Sequence, residues 1–157
     1  MSDAAAGVPE ESRVISYERV VEAQPARVFA MIADPAVQPR WDGNDNLRSA
    51  GDGQRVRAVG DVFVMTLSGG AVRENHVVEF EEERRIAWRP AEPGRRPPGH
   101  LWRWELLPLD GCRTLIRHTY DWSELSDPQC FERARATTAE RLQASVERLA
   151  ALIARGD

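Results

Sequence analysis

Lysine is absent from this chain of 157 residues, and all 21 of its basic side chains are arginine. Without a lysine amine, Schiff-base catalysis and a covalently held pyridoxal cofactor are excluded. Cysteine is nearly absent too: Cys112 and Cys130 are too few for a disulfide scaffold. Cys112 lies in an Asp-Gly-Cys turn, either as a small turn residue or as a thiol with lowered pKa. No apolar run approaches the ~18 residues of a transmembrane helix. Residues 1–12 have no basic region followed by an apolar core, so they read as a disordered tail rather than a signal peptide. The expected location is cytoplasmic. A net charge of −4 gives no reason to expect a nucleic-acid or anionic-membrane partner. The three histidines show no i,i+4 pair and no nearby Cys/His/Asp spacing, so no metal site is expected. Phosphate-loop, dinucleotide and Ser-His-acid patterns are missing as well, and no cofactor is expected.

What is present is enough apolar residue, 42% of the chain, for one core. We read a single domain over residues 13–155. Its end carries the strongest signal. Asp127 can cap a helix that starts with Pro128, because a carboxylate accepts from orphan amides and proline has no amide to lose. Phe131, Ala134, Thr138, Leu142, Val146, Leu149, Leu152 and Ile153 then recur every three or four residues, with charge mainly elsewhere. No glycine or proline intervenes before Gly156, which predicts one helix of about 27 residues, about 40 Å long.

Upstream lie a β-branched strand from Arg13 to Ala23, a short helix opened by Pro25 and stopped at Asp34-Pro35, and a second helical turn before Pro39. From Asp61 the pattern has period two. Phe63, Met65 and Leu67 alternate with Val62, Val64 and Thr66, and Ser68-Gly69-Gly70 predicts a hairpin turn. In the return strand Val72, Glu74, His76, Val78 and Phe80 share a face, expected to be the inner one. Ile86 and Trp88 follow, then a surface loop with four prolines between Pro90 and Gly99. Trp102, Trp104 and Leu106 alternate with Arg103 and Glu105. After the turn at Asp110-Gly111, Ile116, His118, Tyr120 and Trp122 oppose Leu115, Arg117, Thr119 and Asp121. A long amphipathic helix with no helical partner must cover this sheet.

The order of elements, with Pro25-Ala26-Arg27-Val28-Phe29, Ile32-Ala33-Asp34-Pro35, Pro39-Arg40-Trp41-Asp42-Gly43, Val77-Val78-Glu79-Phe80, Ile86-Ala87-Trp88 and His118-Thr119-Tyr120-Asp121-Trp122, resembles the START-like or SRPBCC superfamily, and within it the bacterial polyketide cyclase/dehydrase group. The resemblance spans about residues 13–154. It implies an α+β helix-grip fold, a curved antiparallel sheet wrapped around the C-terminal helix, with an elongated cavity between them and two short helices closing one end. The superfamily includes lipid carriers, receptors, cyclases and aromatases, so the fold alone does not name an activity.

On this reading Glu74, His76, His118 and Tyr120 project into the cavity, where a carboxylate and imidazoles in apolar surroundings suit acid–base chemistry on an enolisable polyketide. Alternatively, they only satisfy one another's hydrogen bonds. Trp41, Phe63, Met65, Trp88, Trp102 and Trp104 join them as ligand contacts, the indoles serving either as core or as a stacking surface. Trp41 and Asp42 equally suit a structural plug followed by the turn at Gly43. Three functions remain open: carriage of a hydrophobic or polyketide-like small molecule, catalysis of ring closure or dehydration, and an interaction module with a vestigial cavity. Arg89, Arg95 and Arg96, at or in the proline-rich loop, read most simply as solvated charges and otherwise as a contact for an acyl carrier protein, and a homodimer is a further partner to consider.

Overall fold

The computed structural model describes residues 12 to 156, so the expected N-terminal tail, Ser12 apart, lies outside the described residues. Seven antiparallel strands form one sheet: β1 (Val14–Val21), β2 (Leu47–Ser49), β3 (Val62–Leu67), β4 (Val72–Glu81), β5 (Arg85–Ala91), β6 (Leu101–Asp110) and β7 (Arg113–Asp121). Their order is β1-β7-β6-β5-β4-β3-β2, so the first strand returns to pair with the last and the rest follow as a meander. Helix α1 (Pro25–Ala33) and the single turn α2 (Gln38–Trp41) follow β1. The fold is the α+β helix-grip expected.

The C-terminal rod is not continuous. A 3₁₀ turn at Pro128–Cys130 leads into a short helix α3 (Phe131–Arg135), and only then does α4 (Ala139–Ala154) run for 16 residues, about 24 Å. The break lies at two adjacent β-branched residues. Thr137 Oγ1 bonds back to the Arg133 carbonyl at 3.4 Å, and Thr138 takes an extended backbone, φ −103° and ψ 167°, as the N-cap of α4. Threonine favours such boundaries because its hydroxyl competes for backbone groups and its branched Cβ is stiff. Asp127 does accept from the Gln129 amide at 3.0 Å, but it caps the 3₁₀ turn rather than a long helix.

From α4, Leu142, Val146, Leu149, Leu152 and Ile153 are buried. Five aliphatic side chains at ~1.5–3 kcal/mol each give on the order of 10 kcal/mol, an upper bound because the unfolded chain is itself partly collapsed. Most of them join the main core with Val28, Phe29, Ile32, Trp41, Trp104 and Ile116. Leu142, at the start of α4, instead joins a second cluster of Tyr120, Trp122, Leu125 and Ala134. Between these clusters the sheet and helix leave a hollow.

The inner face of β4 differs from the expectation. Phe63 pairs with Asn75 and Met65 with Arg73, whereas Val62 and Val64, both exposed, pair with His76 and Glu74. Directly opposed residues point to the same face, so Arg73, Asn75 and Val77 face inward and Glu74 and His76 face outward. A register shift between Val77 and Glu79 then flips the parity, which returns Phe80 to the core side. Alternation counted back from Phe80 crosses this bulge unnoticed and assigns the wrong face.

Candidate functional site

The hollow has a volume of about 190 Å3. Its wall is aromatic: Trp88 from β5, Trp102 and Trp104 from β6, and His118 and Tyr120 from β7. The register explains this concentration, because Trp104 lies opposite His118 and Trp102 opposite Tyr120, so four rings stand in two adjacent cross-strand pairs. The Trp104 and His118 rings stack with centroids 3.7 Å apart and planes 16° from parallel. Trp41 meets Trp104 edge-on at 5.1 Å.

His118 is held in one tautomer. Its Nδ1 lies 3.0 Å from the Arg103 carbonyl oxygen; a carbonyl only accepts, so Nδ1 carries the hydrogen and Nε2 keeps its lone pair. Burial pushes the His118 pKa down to about 3, and this hydrogen bond only partly opposes it. Burial also pushes the Tyr120 phenol up to about 12. At neutral pH both rings are uncharged. Asp42 is a buried carboxyl in the wall, and burial raises its pKa against hydrogen bonds from Asn44 and the Asn46 backbone. Two buried polar atoms of wall residues have no partner, Asp42 Oδ2 and Trp104 Nε1. Such atoms are rare in folded proteins; a third, His76 Nε2, lies outside the hollow.

The end of the hollow is shaped by the Trp-Asp-Gly turn. Trp41 Nε1 donates to the Met31 carbonyl at 3.0 Å, tying α2 to α1. The Gly43 amide donates to Ser145 Oγ at 2.7 Å, and a Cβ at Gly43 would stand 2.5 Å from the Arg141 carbonyl oxygen. Only glycine lets the turn lie this close to α4.

Of the ligand contacts expected from the sequence, Trp41, Met65, Trp88, Trp102, Trp104, His118 and Tyr120 line the hollow. Phe63 faces inward but is packed edge-on against Trp88, behind the wall. Glu74 and His76 are outside it; Glu74 Oε1 accepts from the Gly94 amide in the proline-rich loop. The residues not foreseen are mostly polar, and include Arg73 and Asn75 from the true inner face of β4, His100, and Arg133, Thr137 and Arg141 around the helix break. His100 was within reach of sequence reasoning, since the alternation through Trp104 and Trp102 continues to position 100. Nothing in an unbroken helical pattern signals Thr137 and its neighbours as a cavity rim. Among the described residues no group of three His, Cys, Asp or Glu side chains could hold a metal, and no helix is long and apolar enough to cross a membrane.

The sequence profile of the family described as polyketide cyclase/dehydrase and lipid transport matches residues 12–154. The chain belongs to this family. Its curved sheet and C-terminal helix are the START-like arrangement. Solved structures show the same fold. A Mesorhizobium loti protein superposes with a TM-score of 0.68 at 19% identity, covering 92% of this chain and 99% of its own. A Rhodobacter sphaeroides protein gives 0.63 at 19% identity over 96% and 97% of the two chains. A START superfamily protein from Mycobacterium smegmatis gives 0.62 at 15% identity over 90% and 99%. No curated protein matches the chain.

Proposed function

We propose that this protein binds a small hydrophobic, polyketide-like compound of one or two rings in the hollow between sheet and α4. The observation that carries this is the pairing of volume with wall: about 190 Å3 bounded by four indoles, two neutral imidazoles and a phenol. An engineered cavity of ~150 Å3 holds benzene, whereas pockets for drug-sized ligands run to roughly 300–1,000 Å3. The hollow is therefore matched to a compact aromatic ligand, not to a long folded polyketide chain.

Acid–base catalysis of ring closure is the weaker reading. Glu74 and His76 face away from the hollow, which leaves His118 and Tyr120. An efficient proton-transfer group titrates near the working pH. An imidazole at about 3 is a feeble base, and a phenol at about 12 a feeble acid. An acyl carrier protein belongs to that catalytic reading and has no place in simple carriage.

Native mass spectrometry of the purified protein, followed by calorimetric titration with one- and two-ring aromatic compounds, tests the proposal. A bound or titratable ligand is expected. Trp102→Ala should weaken it by about tenfold, the scale of a lost aromatic contact, while Glu74→Gln and His76→Gln leave it unchanged. An empty protein that binds nothing in such a panel overturns the reading.

A further inference from the structure

The rim of the hollow carries a charge that the rest of the chain does not. Although the protein's net charge is −4, three arginines from three different elements converge on the cavity: Arg73 from β4, Arg133 from α3 and Arg141 from the first turn of α4. Among the described residues none of the three has a carboxylate within 4.0 Å, although Asp45, paired with Arg148, also feels the charge of Arg141. Arg55, Arg103, Arg117 and Arg148, by contrast, are each paired with Glu or Asp. Arg73 spends one Nη1 hydrogen on its neighbour's carbonyl, that of Val72 at 3.0 Å, and Arg133 and Arg141 are exposed.

No acidic side chain balances this rim from within. Asp42 is the one carboxyl on the cavity wall among the described residues, and burial favours its neutral form. The positive field also reaches inside: His100, in the wall, has its pKa lowered to about 4, by burial first and then by the charges of Arg133, Arg73 and Arg89.

We infer that the ligand is an aromatic acid, with its rings against Trp88 and Trp102 and its carboxylate at the rim between Arg133 and Arg141. The inference rests on the small-molecule reading above and adds the charge of the ligand to it. Guanidinium suits this role because it is always charged and its fork of donors matches a carboxylate.

A matched pair of probes separates the two ideas: 2-naphthoate and 2-naphthamide, which share shape and differ in charge, titrated calorimetrically into the full chain. The acid should bind at least about tenfold tighter at low salt, an advantage that shrinks as salt screens exposed charge. In an R133Q/R141Q variant, where both changes are on the surface, the advantage should fall to within about twofold while amide affinity holds. Equal affinity of acid and amide for the unaltered protein overturns the acid inference and leaves the small-molecule reading standing. Failure of both probes to bind overturns both. An acid preference that survives in R133Q/R141Q removes the assignment to these two arginines.

Discussion

His118 and His100 stand among aromatic rings in their uncharged form, and this ties the stability of the fold to pH. Both have folded-state pKa values below the ordinary 6.5, at about 3 and about 4. As pH falls through 6.5 the unfolded chain takes up protons that the folded chain refuses, so stability present above 6.5 is progressively lost. Each such group contributes a slope of up to about 1.4 kcal/mol per pH unit. Carboxylates held low by arginines, such as Glu79 beside Arg103, act in the same direction but only below their own ordinary range near 4.5. Asp42, whose carboxyl burial holds above its ordinary range, acts in the opposite direction, so between pH 5.0 and 6.5 the two buried histidines supply the loss of stability and Asp42 offsets part of it. Thermal melts across that window should show the midpoint falling with pH. In His118→Gln the fall should be visibly shallower, whatever the variant's absolute stability. An unchanged slope would mean that His118 already shares its proton with the folded state.

At the scale of elements, the contact that fixes the cavity's end is the approach of the Trp41-Asp42-Gly43 turn to α4. A methyl group at position 43 would meet the Arg141 carbonyl at 2.5 Å, the Ser145 amide nitrogen at 2.6 Å and the Ala144 Cβ at 2.7 Å. All three belong to the body of a helix that is itself packed on the sheet, so the turn must lift. Overpacking of this kind costs typically about 1–3 kcal/mol. Gly43→Ala should lower the unfolding free energy by that amount, read as a lower urea midpoint with an unchanged slope of stability against denaturant, and a midpoint equal to that of the parent would show that the turn is free to move. The sequence marked this turn clearly but misread two neighbouring elements, for the same reason in each. Period-two alternation in β4 runs across a bulge that inserts one residue at Val77–Glu79, and the helical period from Asp127 onward runs across a break that preserves its phase. Leu142 and the residues after it keep the apolar spacing begun at Phe131, so the pattern carries no trace of the interruption at Thr137-Thr138. Periodicity reports which residues seek the core, and it is silent where a bulge or a cap changes direction without changing composition. Glu74 and His76 were misplaced by the first effect; Arg133 and Arg141 were missed by the second.

At the scale of the molecule, the hollow exists because two hydrophobic clusters do not fuse, and its size is set by a few wall residues rather than by the fold. Trp88 is the clearest of these. It is buried, packs edge-on against Phe63 at 5.3 Å, and separates that ring from the open volume. Replacing it by leucine removes an indole from the wall while keeping an apolar side chain. Truncation of a core Trp to alanine costs about 3–5 kcal/mol, and leucine should cost less because it fills part of the space. Against a typical total of about 5–15 kcal/mol the variant stays folded. The lost volume becomes accessible to a larger ligand, and binding to the folded state alone raises stability, by about 2.7 kcal/mol at a ligand concentration one hundred times the Kd. The expected result is a crossover in thermal shift. A three-ring acid such as 2-anthracenecarboxylate should stabilise Trp88→Leu more than it stabilises the parent, while the two-ring 2-naphthoate should do the reverse. Parallel behaviour of the two probes in both proteins would place the bound ligand somewhere other than against Trp88, and so outside the hollow that the sheet and α4 enclose.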